Sequence, residues 1–203
     1  MEKVVVTLCN PDAGDEWVSQ LCGPVASKLL SLGLPGVTVN VRDAPVRGSL
    51  MTLTTLEPPV QALVSLWTDQ HYGEQMRAAL DLLTPHADHV VAYLVTESVP
   101  MRPPASPLGQ RSPGLANIAL LRRPADMDEA TWLQRWHGDH TAVAIATQST
   151  FGYVQNYVVR PLSEGAPPVS AIVEELFPIE AVGSLHAFFG AADDADLADR
   201  MGK

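Results

Sequence analysis

Short β-branched runs alternate along the chain with longer stretches in which apolar residues return every third or fourth position, the periods of strands and of helices packed by one face. KVVVTLC at 3–9 and GVTVNVRD at 36–43 read as strands. Between them EWVSQLCGPVASKLLSLG at 16–33 reads as a helix, in which Pro24 marks either a kink or a late start. VQALVSLWT at 60–68, GEQMRAALDLL at 73–83 and HVVAYLVTESV at 89–99 then read as strand, helix and strand. The pattern predicts the order strand, helix, strand, strand, helix, strand.

VPMRPPASPLGQRSPG at 99–114 interrupts this order: five prolines and two glycines in sixteen positions remove amide donors, which predicts a linker. Beyond it come LANIALLRR at 115–123, a long helix over 128–149, FGYVQNYVVR at 151–160 and VSAIVEELF at 169–177. Shorter helical stretches follow in IEAVGSLHAFFG and DADLADRM. The second part repeats the plan of the first without repeating its residues. Each copy has the order of a split βαβ, or ferredoxin-like, unit. A sheet with both helices on one face needs cover on the other, and a second such sheet supplies it. The predicted fold is therefore α+β, with two ferredoxin-like (βαββαβ) units, 1–99 and 115–203, joined by a linker at 100–114 into an α/β barrel-like architecture. The second unit is expected to lack its last strand, because nothing after Met201 can supply one: either the chain is cut short or another element completes that sheet edge.

Composition narrows the chemistry. With 46% apolar residues among 203, the chain can bury a sizeable core, and no segment approaches the roughly 20 apolar residues of a bilayer span. No basic leader with a cleavage site opens the chain, so a cytoplasmic address and no membrane partner are expected. A formal charge of −10 repels a phosphate backbone, which argues against nucleic acid. Cys9 and Cys22 read as buried small hydrophobes, not a disulfide. The pairs His86 with His89 and His137 with His140 have spacings that suit a metal, but no third or fourth ligand completes either, so no metal is expected. Glycine-rich phosphate loops and GxSxG are absent.

TWLQRWHGDH at 131–140 gathers two of the four tryptophans and two of the six histidines. Asp126 or Asp128 caps the helix around it. At ~100° per residue, Trp132, Trp136, His140 and Val143 fall along one stripe, which places His140 on the buried side and His137 off it. LLRRPADMDEATWLQRWHGDHTAVA, followed by FGYVQNYVV, resembles the EthD domain of the dimeric α/β barrel superfamily. Trp132, Trp136 and His140 match an aromatic, a tryptophan and a histidine four apart. Tyr153, Gln155 and Asn156 match the aromatic and polar positions of the following strand. The resemblance covers about half of the chain; the first helix has Trp17 but no histidine, so a site built on that histidine occurs once.

The resemblance implies degradation or modification of small organic molecules, an oxidoreductase label and assembly in pairs, but no defined reaction. Residue chemistry adds that a neutral imidazole between indoles, near a phenol and a carboxamide, suits removal of a proton while a donor stabilises the oxyanion, without metal or other cofactor. His140 is the expected acid or base. Trp132, Trp136, Tyr153, Gln155 and Asn156 are the expected contacts to a small apolar or aromatic molecule. Strand parity sets Tyr153, Gln155 and Tyr157 on one face and Asn156 with Val154 and Val158 on the other, and leaves open which face meets the ligand. A non-catalytic binding or accessory role uses the same residues; helix-to-sheet packing is the commoner reading of the two tryptophans, and a structural His140 bonded to a backbone carbonyl is the alternative to a catalytic one.

The unpaired sheet edge left by the missing strand favours pairing with a second copy of the chain. Sedimentation at about 10 μM, an ordinary dimer affinity, is expected to show a homodimer, and a monomer alone contradicts the expectation.

Overall fold

Short runs of valine and leucine build the first sheet, and its first strand is buried along almost its whole length. In the computed structural model, which describes residues 1–53 and 56–203, two compact units divide the chain. The first takes Met1–Arg47, Leu53–Thr96 and Tyr157–Pro167; the second takes Gly48–Thr52, Glu97–Asn156 and Pro168–Lys203.

In the first unit, strand β1 (Glu2–Cys9) lies between β3 (Ala62–Thr68) and β4 (His89–Met101), and β2 (Gly36–Val41) flanks β3. All three pairings are antiparallel. Register sets Val4, Val6 and Leu8 beside Leu66, Val64 and Ala62 on one side, and beside Leu94, Ala92 and Val90 on the other. This apolar face packs on two helices. Helix α1 runs over 15–31, as Asp15–Gln20, a π-helical turn Leu21–Val25, and Ala26–Ser31. Helix α2 is Glu74–Leu83. Leu21, Val25 and Leu29 of α1 and Met76, Ala79 and Leu83 of α2, at helical spacing, meet the sheet in one buried cluster. The unit is a complete βαββαβ plan, as the periodicity predicts.

Pro24 neither starts nor ends α1. It sits inside the π turn, where the Ala26 N–H reaches the Leu21 carbonyl five residues back, so the wide turn accommodates a residue with no amide hydrogen. Cys9 is buried as expected, but Cys22 lies on the exposed side of this turn, a correction to the sequence reading. The other face of the sheet is also shut from solvent: Val5, Leu63, Ser65 and Tyr93 are buried there, and Lys3 lies with its ammonium 4.7 Å from the centre of the Trp67 ring. At the end of β1 the Glu2 carboxylate accepts from the His71 amide at 2.8 Å and from its Nδ1 at 2.9 Å, while Arg160 Nη2 donates to Nε2 at 2.8 Å. A guanidinium can only donate, so the His71 proton resides on Nδ1.

The second unit takes the end of β4 from Glu97 onward, β5 (Leu115–Leu121), helix α3 over 129–147, β6 (Gly152–Pro161) as far as Asn156, and β7 (Ala171–Phe177). The strand order is β6-β7-β5. Of the two candidate caps, Asp128 starts α3: its carboxylate accepts the Thr131 N–H at 2.9 Å. Short helices α4 (Leu185–Phe189) and α5 (Asp194–Met201) follow, and Phe188 of α4 stacks on Phe177 of β7 with ring centres 4.1 Å apart. Seven strands, and no eighth, occur among the described residues. Strand β4 continues through Pro100 to Met101, two residues past its predicted end. Among the described residues no helix is long and apolar enough to cross a membrane.

Leu66 is fully buried at the centre of the first unit's helix-packed face. Leu66→Ala is expected to lower stability by about 2–5 kcal/mol, read as a drop in the denaturant midpoint at unchanged slope.

Candidate functional site

Helix α3 resembles α1 in its irregularity. Its regular segments Glu129–Leu133 and Thr141–Thr147 are joined by a π-helical turn, Gln134–His140. At the end of this turn the Thr141 N–H bonds the Trp136 carbonyl, five residues back, and the Thr141 hydroxyl donates to the same oxygen at 2.7 Å. A wider turn moves the buried stripe by one residue. Trp132 and Trp136 are buried as predicted, with ring centres 5.1 Å apart. The next inward residue is Thr141, and His140 is exposed, as is His137. The expectation of a buried His140 fails for this geometric reason: it assumed 3.6 residues per turn where the chain uses more.

Strand β6 resolves the parity left open by its sequence. The carboxamide of Gln155 faces the helix, where Nε2 donates to the Thr141 hydroxyl at 2.7 Å and Oε1 accepts from the Ser98 hydroxyl at 2.9 Å. Ser98, Gln155, Thr141 and the Trp136 carbonyl thus form one chain of hydrogen bonds that ties β4, β6 and α3 together. Tyr153 has the same parity and is also buried. Asn156 has the opposite parity: its Nδ2 donates to the Ile172 carbonyl at 3.1 Å and to Glu174 Oε1 at 3.0 Å. Trp132, Trp136, Tyr153 and Gln155 are therefore brought to one side of the sheet, while Asn156 and His140 are not among them.

Two further residues complete that side. Asn117 and Glu175 stand opposite each other in the antiparallel register of β5 and β7, and Asn117 Nδ2 donates to Glu175 Oε2 at 3.0 Å. Glu175 is 7% exposed, and burial pushes its carboxyl above the ordinary value, with the Asn117 bond opposing. Burial, and next the charge of Glu175, push the Tyr153 phenol up to about 12, while its neighbours Thr141 and Trp136 pull the other way. Tyr153 therefore remains a neutral donor at physiological pH. Trp136 Nε1 is buried beside this phenol and finds no acceptor at hydrogen-bonding geometry. Two neutral donors, a carboxyl and two indole rings thus share one water-poor region. Glu175 was visible in the sequence as an acid on the otherwise apolar parity of Ala171, Val173 and Phe177. Thr141 gave no signal without knowledge of the wide turn.

Among the described residues no three or more His, Cys, Asp and Glu side chains are gathered as a metal site requires. No protein-family model matches the chain, and no curated protein matches it. Solved structures do. An anthrone oxidase-like protein superposes with a TM-score of 0.52 at 12% identity, covering 99% of this chain and 84% of the other. A mutant chlorite dismutase from Candidatus Nitrospira defluvii, in complex with cyanide, aligns at 11% identity and a TM-score of 0.47, covering 100% of this chain and 82% of the other. The first likeness shows a shared fold, of the dimeric α/β barrel type.

The environment of Glu175 has a consequence for stability. Its folded pKa lies above the unfolded reference of 4.5, so ionisation opposes folding; the cost is absent in acid and grows as pH rises through the folded pKa. Glu175→Gln is expected to match the parent chain below about pH 4, where the free carboxyl is protonated. It is expected to melt higher than the parent at about pH 8. Equal melting temperatures at both pH values contradict the assignment.

Proposed function

We propose that the helix-facing side of the second unit's sheet binds a small apolar or aromatic organic molecule through an oxygen acceptor, in an oxidoreductase-related role of the kind the EthD resemblance implies. The observation that carries this reading is the buried Trp136 N–H without an acceptor, set beside the Tyr153 hydroxyl. A buried donor left unpaired costs about 1–3 kcal/mol, and a ligand oxygen placed between these two donors removes that cost. Trp132 and Trp136 offer flat apolar surface for a ring system. Gln155 and Thr141 satisfy each other and hold the donors in place. The fold shared with an anthrone oxidase-like protein is consistent with an oxygenated aromatic ligand. We place the protein in the cytoplasm as a homodimer, in keeping with its composition and its sheet edge. His140 is assigned no catalytic part, because its imidazole is open to solvent, away from the buried donors.

β-Tetralone, an aromatic ketone, is a direct probe. Saturation-transfer NMR is expected to show binding that weakens about tenfold in Trp136→Phe, the loss of one hydrogen bond of roughly 1.4 kcal/mol. Replacing His140 by alanine is expected to leave binding unchanged. Equal affinity in the parent chain and Trp136→Phe removes the basis of the proposal.

A further inference from the structure

The donors described above hold an oxygen, but they do not explain why a carboxyl is buried next to them. Every other residue of β7 on that parity is apolar, namely Ala171, Val173 and Phe177. A carboxylate in such surroundings is costly. Asn117, directly across in β5, offsets part of that cost with one hydrogen bond. Glu174, next in sequence, points to the opposite face and holds Asn156. Glu175 is thus the acid that the fold delivers to the side of Trp136 and Tyr153.

The neighbouring groups cannot do what Glu175 can. Gln155 does not titrate, and both ends of its carboxamide are engaged. The Thr141 hydroxyl is spent on the Trp136 carbonyl. The Tyr153 phenol, at about 12, keeps its proton. From β5 the group facing Glu175 is the neutral Asn117; from β6 it is Tyr153; α3 contributes the uncharged Trp136 and Thr141 to this side.

Resting on the binding role proposed above, we propose that Glu175 is the proton acceptor of this site, and that the ligand is an enolisable carbonyl compound anchored through its oxygen by Trp136 Nε1–H and Tyr153 Oη–H. The carboxylate of Glu175 takes a proton from the carbon next to the carbonyl. The C–H bond breaks, its electron pair forms the carbon–carbon double bond, and the carbonyl π pair moves onto oxygen as an enolate. The two donors stabilise that oxyanion in a region poor in water. Return of the proton from Glu175 restores the ketone, so the step needs no oxidant or reductant. A carboxyl whose proton affinity is raised by burial is the stronger base for it.

The test is deuterium entry into β-tetralone next to its carbonyl, followed by NMR in D₂O with the full-length chain and corrected for buffer. The parent chain is expected to accelerate exchange, and Glu175→Gln to lower the protein-dependent rate by about 100-fold or more while binding by saturation transfer persists. Asn117→Leu supplies an independent readout. Asn117 favours the carboxylate, so its loss is expected to shift the midpoint of the pH–rate curve upward while exchange continues. Exchange as fast in Glu175→Gln as in the parent, with both binding, overturns the proton-acceptor role and leaves the binding role standing. If Glu175→Gln does not fold, an unmoved midpoint in Asn117→Leu overturns the role instead. Absence of β-tetralone binding to the parent chain overturns both proposals together.

Discussion

The carbonyl oxygen of Trp136 accepts two hydrogen bonds from a single residue, the amide and the hydroxyl of Thr141, five positions on. A regular helix would bond that carbonyl to residue 140. Everything around the candidate site follows from the longer reach. Thr141 turns inward and presents an oxygen to Gln155, Gln155 is fixed with one end on Ser98, and the Trp136 indole N–H is left buried without an acceptor beside Tyr153. One anomalous backbone bond therefore organises α3, β6 and the end of β4.

The first unit carries the same device with a different purpose. Its π turn at Leu21–Val25 surrounds Pro24, whose ring nitrogen can donate to no carbonyl, and the Ala26 amide bridges back to Leu21. There the turn keeps Leu21, Val25 and Leu29 on the buried cluster despite the proline. In α3 no proline forces the widening, and Thr141 supplies a side-chain bond that reinforces it. The two turns occupy similar places in the two units, in the helix that follows the first strand of each.

Periodicity alone was enough to locate the strands and principal helices, because their apolar positions serve large cores whose spacing tolerates no slip. Val4, Val5 and Val6 are all buried, as an unbroken β-branched run in a strand covered on both faces requires. The reading failed where one residue of phase matters. His140 and Thr141 are neighbours, and only the local turn width decides which faces inward. Gln155 and Asn156 are neighbours too, and their parity depends on which face of β6 meets α3, a fact of tertiary structure that no strand pattern contains. Glu175 belongs to a third kind. Its apolar parity neighbours in β7 advertised a buried acid, but its relevance to Tyr153 rests on packing between strands that are distant in the chain.

The wide turn in α3 also bears on how related chains are to be compared. It amounts to one residue inserted into a helix without lengthening the helix's path across the sheet. A relative lacking that insertion would restore the ordinary turn, and its residue four places after the tryptophan would then occupy the position held here by Thr141. Position-by-position alignment on the histidine therefore equates side chains that point in different directions. The meaningful correspondence follows the angle about the helix axis, and a gap of one within 134–140 is the mark by which the two forms can be told apart.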